Sequence, residues 1–261
     1  MRSETLVWAA VAAIMAFLFL PIVIIIVYAF SAAPIPSWPI AGFALHWFAD
    51  TWNDEAVRQA LTLSLQVAAL ATVMAILFGT LAAMAVARMK SAAKEVVSFI
   101  AVLPIALPGI LTGMALASYF AFWGINLSFW TIVAGHATFC VVIVYNNVVA
   151  RLRRMPRSLT EASADLGADA FRTFRLVQLP MMASAIGAGA LLAFALSFDE
   201  VIVTTFTAGA QNTLPLWIFG AIRLGQQLPE VNVVVFAIIL FTAVPVLLAQ
   251  KLIGESGRVA R

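Results

Sequence analysis

Two adjacent carboxylates, Asp199 and Glu200, stand at the end of an uncharged apolar run that covers residues 176–198. Acidic residues within a membrane segment are costly, and they normally face a water-filled pathway or a binding partner. Two neighbouring negative charges would attract a diffuse organic cation and disfavour an anion. A structural role is equally open, because the pair would also suit the end of an apolar helix or a bond to a neighbouring helix.

The longest polar stretch, residues 151–180, has the pattern of a short capped helix. A Ser-Leu-Thr-Glu tetrapeptide fits a capping box, in which the Ser158 hydroxyl and the Glu161 carboxylate accept from free backbone amides. Gly167 stands where a helix can end in the left-handed conformation. A second helix over residues 168–179 is expected to lead back to the membrane.

One face of the first helix is small and apolar. Its members recur at i, i+3, i+4 and i+7, and they are Leu159, Ala162, Ser163 and Leu166. Glu161 and Asp165 form a like-charge pair at i and i+4, which is mildly unfavourable alone and would be relieved by a basic partner surface. The residues alone leave two interpretations open, a helix that binds a partner and a solvated amphipathic connector.

Enzyme chemistry is not indicated by the sequence. It has no Gly-x-x-x-x-Gly-Lys-Ser/Thr loop for nucleotide phosphates and no His-Glu-x-x-His or Gly-x-Ser-x-Gly motif. One cysteine and two histidines cannot form a zinc cluster or a redox pair. His136 lies in an apolar run, where a hydrogen bond to another helix is the expected role. We predict a non-catalytic protein without cofactor, metal or nucleic-acid partner.

The composition requires a membrane protein. Hydrophobic residues make up 64% of the 261 residues and charged residues 10%, whereas soluble proteins have about half and about a quarter. About 20 apolar residues cross a bilayer as a helix, and the uncharged runs are continuous, which excludes the alternation of barrel strands. We predict an all-α integral membrane protein with six transmembrane helices. The predicted spans are residues 6–30, 61–87, 97–122, 127–149, 181–202 and 231–250.

The basic residues predict the orientation of these spans. Only Arg58 and Arg223 lie on one side, and the other thirteen lysines and arginines lie on the opposite side, which is a strong positive-inside signal. Both termini and the loop 151–180 are therefore expected in the cytoplasm. The thirteen residues are Arg2, Arg88, Lys90, Lys94, Arg151, Arg153, Arg154, Arg157, Arg172, Arg175, Lys251, Arg258 and Arg261.

Three features of the spans need interpretation. The first span is too long for the core of a signal peptide, so we expect it to be retained. The run 201–222 could form a seventh span, but Gly209–Pro215 is typical of a turn. Counted from Pro180 at the inner face, Asp199 and Glu200 lie about 27–30 Å along the fifth helix, near the outer edge of the bilayer or in a cavity that opens there.

The polar loop resembles the permease loop of ABC importers. The family pattern is Glu-Ala-Ala, three residues, Gly, nine residues, Ile, one residue, Leu-Pro. This sequence has Glu161-Ala162-Ser163, Gly167 and Val177-Gln178-Leu179-Pro180 at the same spacing, with Ser and Val as the two departures. The resemblance implies a coupling helix that docks in a groove of a separate ATPase. The residues implied in this coupling are Ser158, Glu161, Ala162, Ser163, Asp165, Leu166, Gly167, Leu179 and Pro180.

Residues 60–250 are similar to the C-type permeases of spermidine/putrescine importers, most clearly in Leu196–Val203, Thr213–Leu216 and Leu228–Asn232. The resemblance implies one type I permease domain over residues 1–261 in the bacterial inner membrane. It also implies two copies of an ATP-binding subunit, a second homologous permease and a periplasmic binding protein. The implied substrate is a polyamine, with Asp199 and Glu200 on its pathway. The alternative substrates are aminoethylphosphonate and another amine or amino-acid derivative. The alternative class of protein is a secondary transporter.

Overall fold

The computed structural model describes residues 2–89 and 91–256, and within these ranges the chain is helical without any β-strand. The all-α prediction is therefore confirmed. Helices α1–α6 are Arg2–Ala29, His46–Asn53, Glu55–Arg88, Ser91–Ala106, Gly109–Phe122 and Phe129–Arg153. Helices α7–α12 are Arg157–Asp165, Ala170–Thr173, Leu179–Phe198, Ile202–Thr207, Leu214–Leu224 and Leu228–Ser256, with a π-helical turn at Phe174–Gln178.

Four of the predicted spans correspond to helices that are long and apolar enough to cross a membrane. These helices are Glu4–Ala29, Glu55–Arg88, Phe129–Arg153 and Ala170–Phe198. A fifth crossing results if the bent pair α4 and α5 is one span. The sixth predicted span lies in α12, in which Leu228–Thr242 is a shorter apolar stretch. The side chains of α12 from residue 243 onward lie outside the described residues, as do Lys90, Arg258 and Arg261 among the predicted cytoplasmic cations.

The predicted third span, 97–122, is broken rather than continuous. Helices α4 and α5 meet at an angle of 99°. Pro108 precedes the first residue of α5 with φ −54° and ψ 133°, outside the helical region. Proline has no N–H to continue the ladder of α4, and it disfavours helical geometry at Leu107 before it. The sequence predicted one span here, and the structure has a full change of direction within it.

The chain divides into two compact units. In the unit Met1–Arg58 with Ile218–Arg261, helices α1 and α2 both pack against α12. The ring of Phe30 lies 5.1 Å from that of Phe48 and 5.3 Å from that of Phe236, so aromatic contacts join the three helices.

The other unit, Gln59–Trp217, is built around α6, which packs most extensively against α9. Its core is formed by small and β-branched side chains, which let helices approach closely where lipid supplies no hydrophobic drive. Among the fully buried members are Ala71, Ala75 and Ala83 of α3, Cys140, Val144 and Val148 of α6, and Met182 and Ala193 of α9.

Helix α3 approaches α6 closely at Gly79. A Cβ atom built there would lie 2.7 Å from the backbone oxygen of Val141 and 3.0 Å from the backbone nitrogen of Tyr145. Backbone atoms cannot turn away as a flexible side chain can. Any side chain at Gly79 would therefore force the two helices apart.

We expect Gly79→Ala to destabilise the fold by about 1–3 kcal/mol, as overpacking of a closely packed core does. Thermal unfolding of the importer in mild detergent, followed by tryptophan fluorescence, measures the effect. Gly220→Ala is the matched control, because a Cβ atom at Gly220 meets nothing within 4 Å. Equal unfolding temperatures for the two variants would contradict this account of the α3–α6 contact.

Candidate coupling helix and substrate pathway

Helix α7, residues Arg157–Asp165, contains most of the predicted coupling residues, but its N-terminus differs from the prediction. Pro156 is the N-cap residue, with φ −63°, and no side chain caps the helix. The predicted capping box of Ser158 and Glu161 is therefore wrong, since Ser158 already lies inside the first turn. Proline fixes φ near the helical value and has no N–H that would need a partner. The helix consequently begins before the serine.

The C-terminus of α7 is as predicted. Gly167 has φ +78°, the left-handed conformation that glycine adopts without cost. Its N–H donates to the oxygen of Ala164 at 2.8 Å, and the N–H of Ala168 donates to the oxygen of Ser163 at 3.0 Å. A Cβ atom at Gly167 would meet nothing within 4 Å. The requirement for glycine is therefore one of backbone conformation, not of space.

The predicted small and apolar face of α7 does not point in one direction. Ser163 is buried, and its hydroxyl lies 2.9 Å from the hydroxyl of buried Thr173. Leu166, in contrast, is 89% exposed, and Ala162 is exposed as well. The serine that replaces the family's alanine thus finds a partner within the chain. Leu166 and Ala162 are left accessible, together with Glu161 and Asp165.

The predicted second helix, 168–179, is not a separate element. Asp169 caps α8, since its carboxylate accepts from the backbone N–H of Arg172 at 2.7 Å. The π-helical turn follows at once and continues into α9, whose first two residues are Leu179 and Pro180. Pro180 has no N–H for the carbonyl four residues before it. The N–H of Leu179 reaches back five residues to Phe174, which gives the wider π geometry.

Arg151 fastens the start of α9 to the end of α6. Its Nε donates to the backbone oxygen of Met181 at 2.8 Å. A charged donor strengthens such a bond. This bond joins the two helices at the ends of the intervening loop, and so holds the start and the end of that loop next to each other.

Helix α9 ends at Phe198, four residues before the end of the predicted fifth span, and the acidic pair lies in the break between α9 and α10. The Glu200 carboxylate accepts from the N–H of Val203 at 2.9 Å, and its backbone oxygen accepts from the Thr204 hydroxyl at 2.7 Å. Asp199 is exposed. The two acids therefore differ: Glu200 is partly buried and caps α10, whereas Asp199 presents its charge outward.

His136 confirms the predicted hydrogen bond between helices. Its Nδ1 lies 2.8 Å from the Ser197 hydroxyl of α9, and its Nε2 lies 2.8 Å from the Thr204 hydroxyl of α10. The sequence analysis did not identify these two partners. Hydroxyl groups are frequent in apolar helices, and no spacing distinguishes the two that meet an imidazole 61 and 68 residues away.

Residues 75–253 match the family described as the inner membrane component of binding-protein-dependent transport systems. The chain belongs to this family. The putrescine permease PotI of Escherichia coli K12 is 33% identical over 225 residues, which cover 83% of this chain and 79% of that protein. The spermidine/putrescine permease PotC of the same organism is 34% identical over 240 residues, covering 91% and 90%. PotC of Haemophilus influenzae is 32% identical, covering 90% and 91%.

Solved structures agree on the fold. A bacterial ABC transporter that imports the acidic polysaccharide alginate has a chain with a TM-score of 0.72 and 15% identity, with 96% of each chain covered. An amino acid ABC transporter has a chain with a TM-score of 0.58 and 17% identity, covering 80% of this chain and 98% of that one. These identities are low, so the likeness concerns the fold.

The prediction of an ABC importer permease is confirmed at the level of the family. The protein is an inner-membrane component without catalytic function, and a partner subunit hydrolyses ATP. An ATPase, a substrate-binding protein and a second permease are the partners general to such systems.

The bond between Ser163 and Thr173 can be tested by a double-mutant cycle. We expect Ser163→Ala to cost about 1–3 kcal/mol of stability, because it leaves the buried Thr173 hydroxyl without a partner. Adding Thr173→Val should recover much of this loss. Unfolding temperatures of the detergent-purified importer measure both effects, with exposed Thr160→Ala as the control. Additive losses in the double variant would show that the two hydroxyls are not coupled.

Proposed function

We propose that the chain, together with a second homologous permease, forms the translocation pathway of an ATP-driven importer for a polyamine such as putrescine or spermidine. The observation that carries this proposal is the identity of 33–34% to PotI and PotC over most of each chain. The acidic pair at the break after α9 supports it, because carboxylates there would recognise a cation and not an anion. The pair is also compatible with another small amine.

The proposed topology has six crossings formed by α1, α3, the bent pair α4–α5, α6, α9 and α12. Residues 1–261 then make up a single permease domain with both termini in the cytoplasm. The distribution of basic residues supports this orientation. It places α7 on the cytoplasmic side and the acidic break toward the outer side of the membrane.

In the proposed mechanism, α7 docks in a groove of one of two identical ATP-binding subunits. The accessible groups of α7 would supply the contact: Leu166 is an apolar anchor, and Glu161 and Asp165 are acids that a basic groove would pair. Ser163 and Gly167 are placed to hold the helix rigidly within its loop. Leu179 and Pro180 lie where the loop becomes α9.

A displacement of α7 would be passed to the membrane part by two connections. One is the uninterrupted helical path from Ala170 through the π-helical turn into α9. The other is the bond from Arg151 to Met181, which makes α6 follow the start of α9. ATP-driven closure of the ATPase pair would thereby tilt α6 and α9 together.

The substrate pathway is assigned to the break that contains Asp199 and Glu200. Asp199 is exposed and has no side-chain hydrogen bond among the described residues, so its charge is available to a ligand. Glu200 uses one carboxylate oxygen to cap α10. We assign direct cation contact chiefly to Asp199 and a combined structural and electrostatic role to Glu200.

Charge reversal tests the coupling role. We expect Glu161→Lys to reduce ATP-driven uptake at least about tenfold, as the loss of a charge pair at a docked interface does. The ATPase should no longer copurify with the permease. Glu95→Lys is the matched control, because Glu95 is exposed on α4 and lies outside the coupling loop. Uptake that continues without a bound ATPase would indicate a secondary transporter instead.

Neutral substitutions test the substrate pathway. We expect Asp199→Asn to raise the KM for radiolabelled putrescine about two- to fivefold in cells that carry the complete importer as their only polyamine uptake system. Glu200→Gln should act in the same direction, since the amide oxygen can still cap α10 while the charge is lost. Asp50→Asn, an exposed acid of α2, is the control.

Two outcomes would contradict the assignment. Unchanged KM values for both variants would reduce the acids to a structural role. Competition by amino acids or aminoethylphosphonate, but not by spermidine, would show that the importer serves another solute class.

A further inference from the structure

Four groups from three segments of the chain form one continuous line of hydrogen bonds beside the acidic break. The Ser197 hydroxyl lies at the end of α9, the His136 imidazole lies on α6, and the Thr204 hydroxyl lies on α10. The line ends at the backbone oxygen of Glu200, to which the Thr204 hydroxyl donates. His136 is 1% exposed and Thr204 is fully buried.

The chemistry of the last bond fixes the direction of the whole line. A threonine hydroxyl has one proton, and a carbonyl oxygen can only accept. The Thr204 proton therefore goes to Glu200, and the Thr204 oxygen must accept from His136 Nε2. His136 therefore carries a proton on Nε2. The side chain is buried, which favours the neutral ring, and in that ring Nδ1 accepts from the Ser197 hydroxyl.

This line bridges the break itself. Ser197 and Thr204 stand on either side of residues 199–201, and both contact the same imidazole. The two ends of the break are consequently joined by the rigid imidazole ring in addition to the backbone between α9 and α10.

Helix α10 is also held at its other end. The Thr131 hydroxyl of α6 lies 2.7 Å from the backbone oxygen of Thr207 and 2.7 Å from that of Ser128, and its one proton is shared between them. The two helices approach closely, because a Cβ atom at Gly135 would lie 3.1 Å from Val203 and 3.2 Å from Thr207. Helix α6, together with α5, which also packs against α10, therefore holds α10 in place and with it the position of Glu200.

We propose that His136 is a positioning residue for cation recognition: through Thr204 and Ser197 it fixes the Asp199–Glu200 break against α6 and thereby sets the affinity of the pathway for a cationic substrate without touching it. This inference rests on the proposed function of the acidic pair. It assigns a role to the buried His136, which contacts Thr204, and Thr204 in turn bonds to Glu200 of the assigned pathway.

The tautomer provides a test that needs no transport. Nitrogen NMR of the importer labelled with 15N-histidine distinguishes the two neutral tautomers and the charged ring, and the signal absent from the His136→Gln variant is that of His136. We expect the Nε2–H form in the parent protein and a loss of this preference in Thr204→Val. A protonated Nδ1 in the parent would overturn the proposed direction of the line.

Transport kinetics test the positioning role. Thr204→Val should raise the KM for radiolabelled putrescine about three- to tenfold, the effect of one lost hydrogen bond, with little change in Vmax. Thr204→Ser, which keeps the hydroxyl, should restore the parental KM. The matched control is Thr205→Val, because the exposed Thr205 hydroxyl makes the same kind of bond, to Val201 at 2.8 Å, without a contact to His136.

A second variant addresses the other end of the line. Ser197→Ala should raise KM in the same direction, and the double variant with Thr204→Val should change KM by less than the product of the two single effects, because both act through one imidazole. Copurification of the ATPase verifies that each variant assembles. A multiplicative double effect would refute a shared path through His136.

The outcomes distinguish a failure of the positioning role of His136 from a failure of the cation pathway. If Asp199→Asn raises KM while Thr204→Val matches Thr205→Val, the positioning role of His136 is wrong and the cation pathway stands. If Asp199→Asn and Glu200→Gln both leave KM unchanged, the assigned pathway is wrong and the affinity role of His136 is wrong as well. The NMR result then still decides the tautomer independently.

Discussion

Inside the hydrocarbon core of a bilayer, a polar group that lacks a protein partner has no water to replace it. A break in a membrane helix is therefore tolerated only where side chains take over the bonds that the helix loses. The break after α9 meets this condition through Glu200, which bonds at both its carboxylate and its carbonyl, and through His136, which joins the two helix ends. Glu200 is thus bonded within the break, whereas Asp199 faces outward without a side-chain bond among the described residues.

The same principle applies to the loop between α6 and α9. Ser163 and Thr173 bury one hydroxyl each and satisfy both with a single bond. Gly167 ends α7 without strain, and Asp169 begins α8 with a side-chain cap. The short helices of the loop are thus held together by internal bonds, so that in the proposed mechanism a docked partner would displace them as a unit. Its exposed groups are free for recognition, since the internal contacts do not require them.

The sequence predicts the positions of the long helices well, because uncharged runs of about 20 residues have few alternatives in a membrane protein. It also predicts the left-handed conformation of Gly167, which is a local property. It fails for Ser158, where Pro156 starts the helix earlier, and for residues 97–122, where the effect of Pro108 on direction depends on neighbouring helices. The partners of His136 are determined by tertiary contacts between distant segments, and a single sequence contains no signal for them.

The π-helical turn at Phe174–Gln178 has a geometric consequence for helices α7 and α8. A π turn accommodates one residue more than an α-helical turn, and one residue corresponds to about 100° of rotation around a helix axis. The direction in which these helices extend from the axis of α9 therefore depends on a single inserted position next to Pro180. In the proposed mechanism, a gain or loss of one residue at this point would turn α7 toward a different side of the ATPase and leave the membrane helices unaltered.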